Sequence, residues 1–245
     1  MKKTITAMVT CGALLVTAAP AQAAPKDPVR ALKAVLVSGH GVRFTETTTL
    51  SGDPAIKLQS RKGTFQFNAK GIAASDIRAT PKNSKPERTI NVGRFSYISG
   101  GITAERLSSG TWYRSRGLPG GGSGFHGQVI NPAEPKTLAA LVKKGRVTRS
   151  AITGKITFKE LAKVSAWFDA SIPLRMHNDT KVSYTLTLSS AGLVSRVKSS
   201  YAATGVIDSG AFDGKTMTID SRFTGWGAKV SIKAPTSGVS TDSDS

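Results

Sequence analysis

The stretch VSYTLTLSSAGLVSRVKSSY, residues 182–201, decides the fold class. Val182, Tyr184, Leu186 and Leu188 alternate with polar residues at a period of two. Ser189-Ser190-Ala191-Gly192 supplies turn chemistry, and a second alternating run returns to Tyr201. Alternation on both sides of a short turn predicts an antiparallel hairpin with one covered and one wet face. The same period recurs upstream. In GVRFTETTTLSGD, Val42, Phe44, Glu46 and Thr48 share one face, and Ser51-Gly52-Asp53-Pro54 is a turn. AIKLQSRKGTFQFNAKG gives Ile56 and Leu58, a basic turn at Arg61-Lys62-Gly63, then Phe65 and Phe67. Ile90, Val92, Phe95, Tyr97 and Trp112 mark a further meander, with turns at Gly100-Gly101 and Ser109-Gly110. The last pair of strands is expected in KTMTIDSRFTG and GAKVSIKAP, with Pro235 ending the pairing.

Helical periodicity is confined to three places. Asp27 and Pro28 are an N-cap and first-turn proline, followed by Val29, Leu32, Val35 and Leu36, with Gly39 as a stop. PKTLAALVKKG directs Leu138, Leu141 and Val142 inward and ends on Gly145. TFKELAKVSAWFDA spaces Leu161, Val164, Trp167 and Phe168 along one face. Between meander and helices, residues 117–135 hold six glycines and three prolines, which predicts a mobile loop or lid. The expectation is one α+β domain over residues 24–235. A single antiparallel sheet would be partly covered by a few helices, and a polar disordered tail would occupy 236–245.

Residues 1–23 read as a secretory signal: Lys2 and Lys3, an apolar run, and Ala21-Gln22-Ala23 at the cleavage position. No segment reaches the length of a transmembrane helix. The one cysteine, Cys11, lies inside the signal, ahead of Leu14, Leu15 and Val16, so a lipid anchor is not expected. Beyond the signal the chain has no thiol, which excludes disulfides and cysteine chemistry. A domain of about 220 residues must then rely on its core. The charge is one-sided. The chain carries 34 basic and 15 acidic side chains, with basic clusters at Arg61-Lys62, at Lys82, Lys85 and Arg88, and at Lys143, Lys144, Arg146 and Arg149. Such a field attracts anionic envelope polymers and lipid headgroups. No nucleic-acid motif accompanies it.

Catalytic motifs are missing. His40, His126 and His177 form no metal-ligand pair and have no carboxylate cluster beside them. Gly121-Gly122-Ser123-Gly124-Phe125 fails the nucleophile-elbow pattern at its last position. Ser195 and Lys198 match S-x-x-K, but inside a strand they would point to opposite faces. Neither enzyme activity nor a cofactor is expected. The aromatic side chains are more informative. Phe44, Phe65, Phe67, Phe95, Tyr97, Trp112 and Tyr184 recur at alternating positions and would line one concave face of a curled sheet. They would either fill a closed core or leave room for an acyl chain.

The order of elements, and above all the ending TGWGAKVSIKAP (224–235), resembles the LolA/LppX/LprG-like bacterial envelope proteins, especially actinobacterial members. The resemblance runs from Asp27 to Pro235. It implies a half-barrel with helices over its concave face and a non-catalytic carrier or chaperone for lipids or lipidated molecules. Since no lipidated cysteine follows the signal, it implies here a secreted, envelope-associated protein. The alternative is a basic protein with a filled core that binds cell-wall polyanions.

Overall fold

A computed structural model describes residues 27–101, 111–116, 127–172, 176–206 and 210–241. The expected signal, the Ser109-Gly110 turn, His126 and the glycine-richest part of the 117–135 stretch lie outside these residues. Helix α1 (Pro28–Val35) precedes β1 (His40–Leu50), β2 (Ile56–Asn68), β3 (Gly71–Pro81), β4 (Glu87–Val92), β5 (Phe95–Gly100) and β6 (Trp112–Arg116). Next come α2 (Pro135–Lys144), β7 (Arg146–Val147) and β8 (Ala151–Thr157), then α3 (Phe158–Ala162) and α4 (Ala166–Ser171). The chain ends with β9 (Lys181–Leu188), β10 (Val194–Ala202), β11 (Thr216–Lys229) and β12 (Val239–Thr241).

All twelve strands form one open, curled sheet in the order β12-β6-β5-β4-β3-β2-β1-β11-β10-β9-β8-β7. Every pairing described is antiparallel except β12 with β6. The helices cover the concave face, so the architecture is the expected α+β half-barrel. Both edge strands are very short, which limits their use as templates for further pairing.

Local chemistry explains the helix ends. The Asp27 carboxylate accepts from Val29 N and Arg30 N at 3.0 Å each, capping α1. Gly145 closes α2 by donating to Leu141 O. The third helical pattern divides in two. Thr157 and Glu160 form a capping box for α3, while Ser165 Oγ accepts from Phe168 N and starts α4 anew.

Several expectations are corrected. Arg61-Lys62-Gly63 is no turn but the middle of the 13-residue β2. Gly63 lies opposite Phe44, and a Cβ there would come within 2.6 Å of that ring. The last two expected strands are one. β11 runs through Gly225, Trp226 and Gly227, whose glycines adopt φ of +67° and +76°. This irregularity brings Trp226 onto the covered side after Phe223, stacked against both Phe223 and Phe67 at 5.9 Å. Residues 230–235 are not a strand but a strap. Val230 N donates to Gly39 O, Ile232 N to Gln66 Oε1, and Trp112 N to Gly238 O. The strap delivers Val239–Thr241 to β6, so part of the expected disordered tail is paired.

Candidate functional site

The register separates the seven predicted lining residues into two groups. Phe44, Phe65, Phe67 and Tyr184 are buried on the concave side. Phe44 stacks on Phe65 at 4.9 Å, Phe65 meets Trp167 edge-on at 5.1 Å, and Tyr184 Oη donates to Leu141 O. Phe95, Tyr97 and Trp112 belong to the opposite face. Phe65 lies across from Ser75, Ser75 from Asn91, and Asn91 from Ser96. Side-chain hydrogen bonds from Asn91 to Ser75 (2.8 Å) and from Ser96 to Asn91 (2.6 Å) fix that row on the inner side. The neighbours of Ser96 in β5, Phe95 and Tyr97, therefore point outward. There Phe95 packs under the guanidinium groups of Arg94, Arg114 and Arg116 at 5.2–5.9 Å, and Arg88 lies 5.5 Å from the Trp112 ring.

The concave side is largely filled. The end of the glycine-rich stretch, expected as part of a lid, packs inside: Gly127 to Ala133 are all buried. Trp167 Nε1 donates to Gln128 O, and Asn131 Oδ1 accepts from Ala133 N. Deeper still, Arg61 Nε donates to Glu46 Oε1 at 2.7 Å, and Ser221 Oγ to Glu46 Oε2 at 2.7 Å. Both charged side chains are fully buried. Gly127 is required beside them, because a Cβ there would fall 2.2 Å from the Arg61 guanidinium carbon.

An open cleft of about 1090 Å³ lies at one end of the cup, between the β2–β3 turn and the helices. None of the seven predicted aromatics lines it. The sheet contributes Ile72, Ala73, Ala74, Ser75 and Asn91, the helical side Leu36, Pro135, Val164 and Trp167. Lys70 N donates to Asn68 Oδ1, and Gly71 at φ +137° completes the turn against Pro135. Lys33, Lys70, Lys136 and Lys163 surround the opening, and all four are exposed. The apolar wall is anchored from behind, since Trp167 rests on Phe65.

One carboxylate in the cleft is unusual. Glu134, at the start of α2, accepts from Ser165 Oγ, Thr137 Oγ1 and Trp167 N, tying α2 to α4. Burial nevertheless raises its pKa above the ordinary 4.5, the hydrogen bonds opposing only in part. A carboxyl whose folded value is raised stabilises the fold fully below its unfolded value. That contribution is lost as pH rises through the folded one. Relative to Glu134→Gln, the protein is therefore expected to lose stability as pH climbs from about 4.5. Urea titrations of both proteins across pH check this, and parallel pH profiles would refute it.

Among the described residues no cluster of three or more His, Cys, Asp or Glu could hold a metal ion. No helix among them is long and apolar enough to cross a membrane. No protein-family model and no curated protein matches the sequence. Solved structures do match.

The chain is similar to the lipoprotein LppX of Mycobacterium tuberculosis. That likeness covers 84% of this chain and 96% of the other at 11% identity, with a TM-score of 0.40. A LolA superfamily protein of Nitrosomonas europaea matches over 84% and 93% at 7% identity and a TM-score of 0.34. A DUF1329 family protein of Desulfovibrio piger matches over 80% and 92% at 11% identity and a TM-score of 0.25. These likenesses are distant.

Proposed function

We propose that this protein is a secreted, non-catalytic carrier of a lipid or lipidated molecule of the bacterial envelope, of the LolA/LppX/LprG-like kind. The observation that carries the reading is the cleft. Its volume of about 1090 Å³ lies just above the ~300–1000 Å³ usual for small-molecule pockets. Ile72, Ala73, Val164 and Trp167 offer apolar contact to an acyl chain, and the four lysines at the opening complement an anionic headgroup. The concave aromatics serve this site indirectly: they fill the cup and hold Trp167 in place. The composition of residues 1–23 supports export, and a carrier needs no catalytic constellation.

Organic extraction of the purified protein followed by mass spectrometry is expected to release a lipid in stoichiometric amount. Uptake of a fluorescent fatty acid tests the same site from the other direction. Ala73→Trp fills the cleft and is expected to weaken that uptake by about tenfold or more, equivalent to roughly 1.4 kcal/mol. Absence of both bound lipid and uptake would sink the proposal.

A further inference from the structure

The outer face of the sheet carries a line of cations that the cleft does not use. Cross-strand register places Arg196 beside Arg222, Arg222 beside Thr45, and Thr45 beside Lys62. It continues from Lys62 to Arg78 and from Arg78 to Arg88. Six neighbouring strands, β10 to β4, thus contribute five basic residues to one row perpendicular to the strands. Five strand spacings of about 4.8 Å make the row ~24 Å long. In sequence these residues are scattered between positions 62 and 222, so the row exists only in the folded sheet.

Two of the five are matched by acids. Arg88 pairs with Asp76 through Nε and Nη2, and Arg196 with Asp220 in the same two-pronged way. The middle three, Lys62, Arg78 and Arg222, are exposed and have no ion-pair partner among the described residues. They surround a depression of about 540 Å³ whose other lining residues include Thr45, Thr47, Ser60 and Thr80, with Asp220, held by Arg196, at its edge. Three exposed cations over a floor of hydroxyls, with one carboxylate at the edge, offer net positive charge and hydrogen bonds to an anionic, oxygen-rich chain.

We propose that this row is a binding surface for a linear anionic polysaccharide laid across the strands. A depression of this size admits a chain, whereas a flat bilayer would touch a convex face mainly at its crest. The row has one aromatic, Trp112, at its far end beyond Arg88, instead of the interleaved stacking platforms that single-stranded nucleic acid uses. The proposal is independent of the lipid cleft, with which the row shares no residue.

Polygalacturonate, a linear uronate polymer, is the probe, with dextran, single-stranded DNA and anionic vesicles as comparators, all by binding titration at low and high salt. The purified protein is expected to bind polygalacturonate in preference to all three, with affinity that drops steeply with salt. Lys62→Gln/Arg78→Gln/Arg222→Gln is expected to weaken binding by about a hundredfold, at roughly fivefold per cation facing an anionic surface. Asp220→Asn frees Arg196 and is expected to tighten binding by roughly fivefold, a gain that misfolding would not produce. Fatty-acid uptake by the triple variant should match that of the unaltered protein. Triple-variant affinity within about twofold of the original, or preference for DNA or vesicles over the glycan, would overturn the assignment.

Discussion

Arg61→Leu should destabilise the protein by about 3–5 kcal/mol, the usual cost of leaving a buried charge without its partner. Arg61 and Glu46 face each other across β1 and β2 with fully buried side chains. Without the guanidinium, the Glu46 carboxylate keeps only the Ser221 hydroxyl among the hydrogen bonds described above. Bulk water cannot replace it, since Gly127, Phe44 and Tyr201 are all buried. The Tyr201 hydroxyl already registers the low polarity: burial first, and then the Glu46 charge, push its pKa upward. Urea denaturation at neutral pH measures the loss. The double variant Glu46→Leu/Arg61→Met should recover most of the stability, since an apolar pair avoids the desolvation cost of both ions. A single-variant loss under about 1 kcal/mol would mean that the interior supplies other partners to Glu46.

That pair also marks the limit of the sequence reading. Glu46 is placed correctly by alternation, on the face of Val42 and Phe44. Arg61-Lys62-Gly63 reads as a turn because glycine after two charged residues is ordinary turn chemistry. In the fold Gly63 is there for a different reason: Phe44 occupies the space of its side chain. The hairpin of β9 and β10 and the caps of α1 and α2 were legible, because their signals are local. The cleft was not. Most of its sheet wall belongs to β3, whose inward residues Ser75, Ile77 and Ala79 make a weak stripe. Its helical wall sits where one helical pattern breaks into α3 and α4. The cation row was equally hidden, because a line across six strands depends on register and leaves no mark along the chain.

Phe65→Ala and Phe95→Ala should separate sharply, although both phenylalanines alternate with polar neighbours and both read as cavity lining. Alternation has a period but no sign: it says that residues two apart share a face, not which face is covered. For Phe65 the covered face is certain from its contacts, the Phe44 ring at 4.9 Å and Trp167 at 5.1 Å, with no exposed surface. Its truncation leaves a cavity under the cleft wall and should cost about 3–5 kcal/mol. It should also weaken fatty-acid uptake, because Trp167 loses its support. Phe95 is half-buried among three arginines on the outer face. Cation–π contacts at exposed positions are worth about 0.5–1 kcal/mol each, so Phe95→Ala should cost well below the Phe65→Ala loss and leave uptake unchanged. Paired urea denaturation and uptake titrations read both quantities. Equal costs, or a loss of uptake in Phe95→Ala, would mean that the two residues share a face, against the hydrogen-bonded row from Ser75 through Asn91 to Ser96.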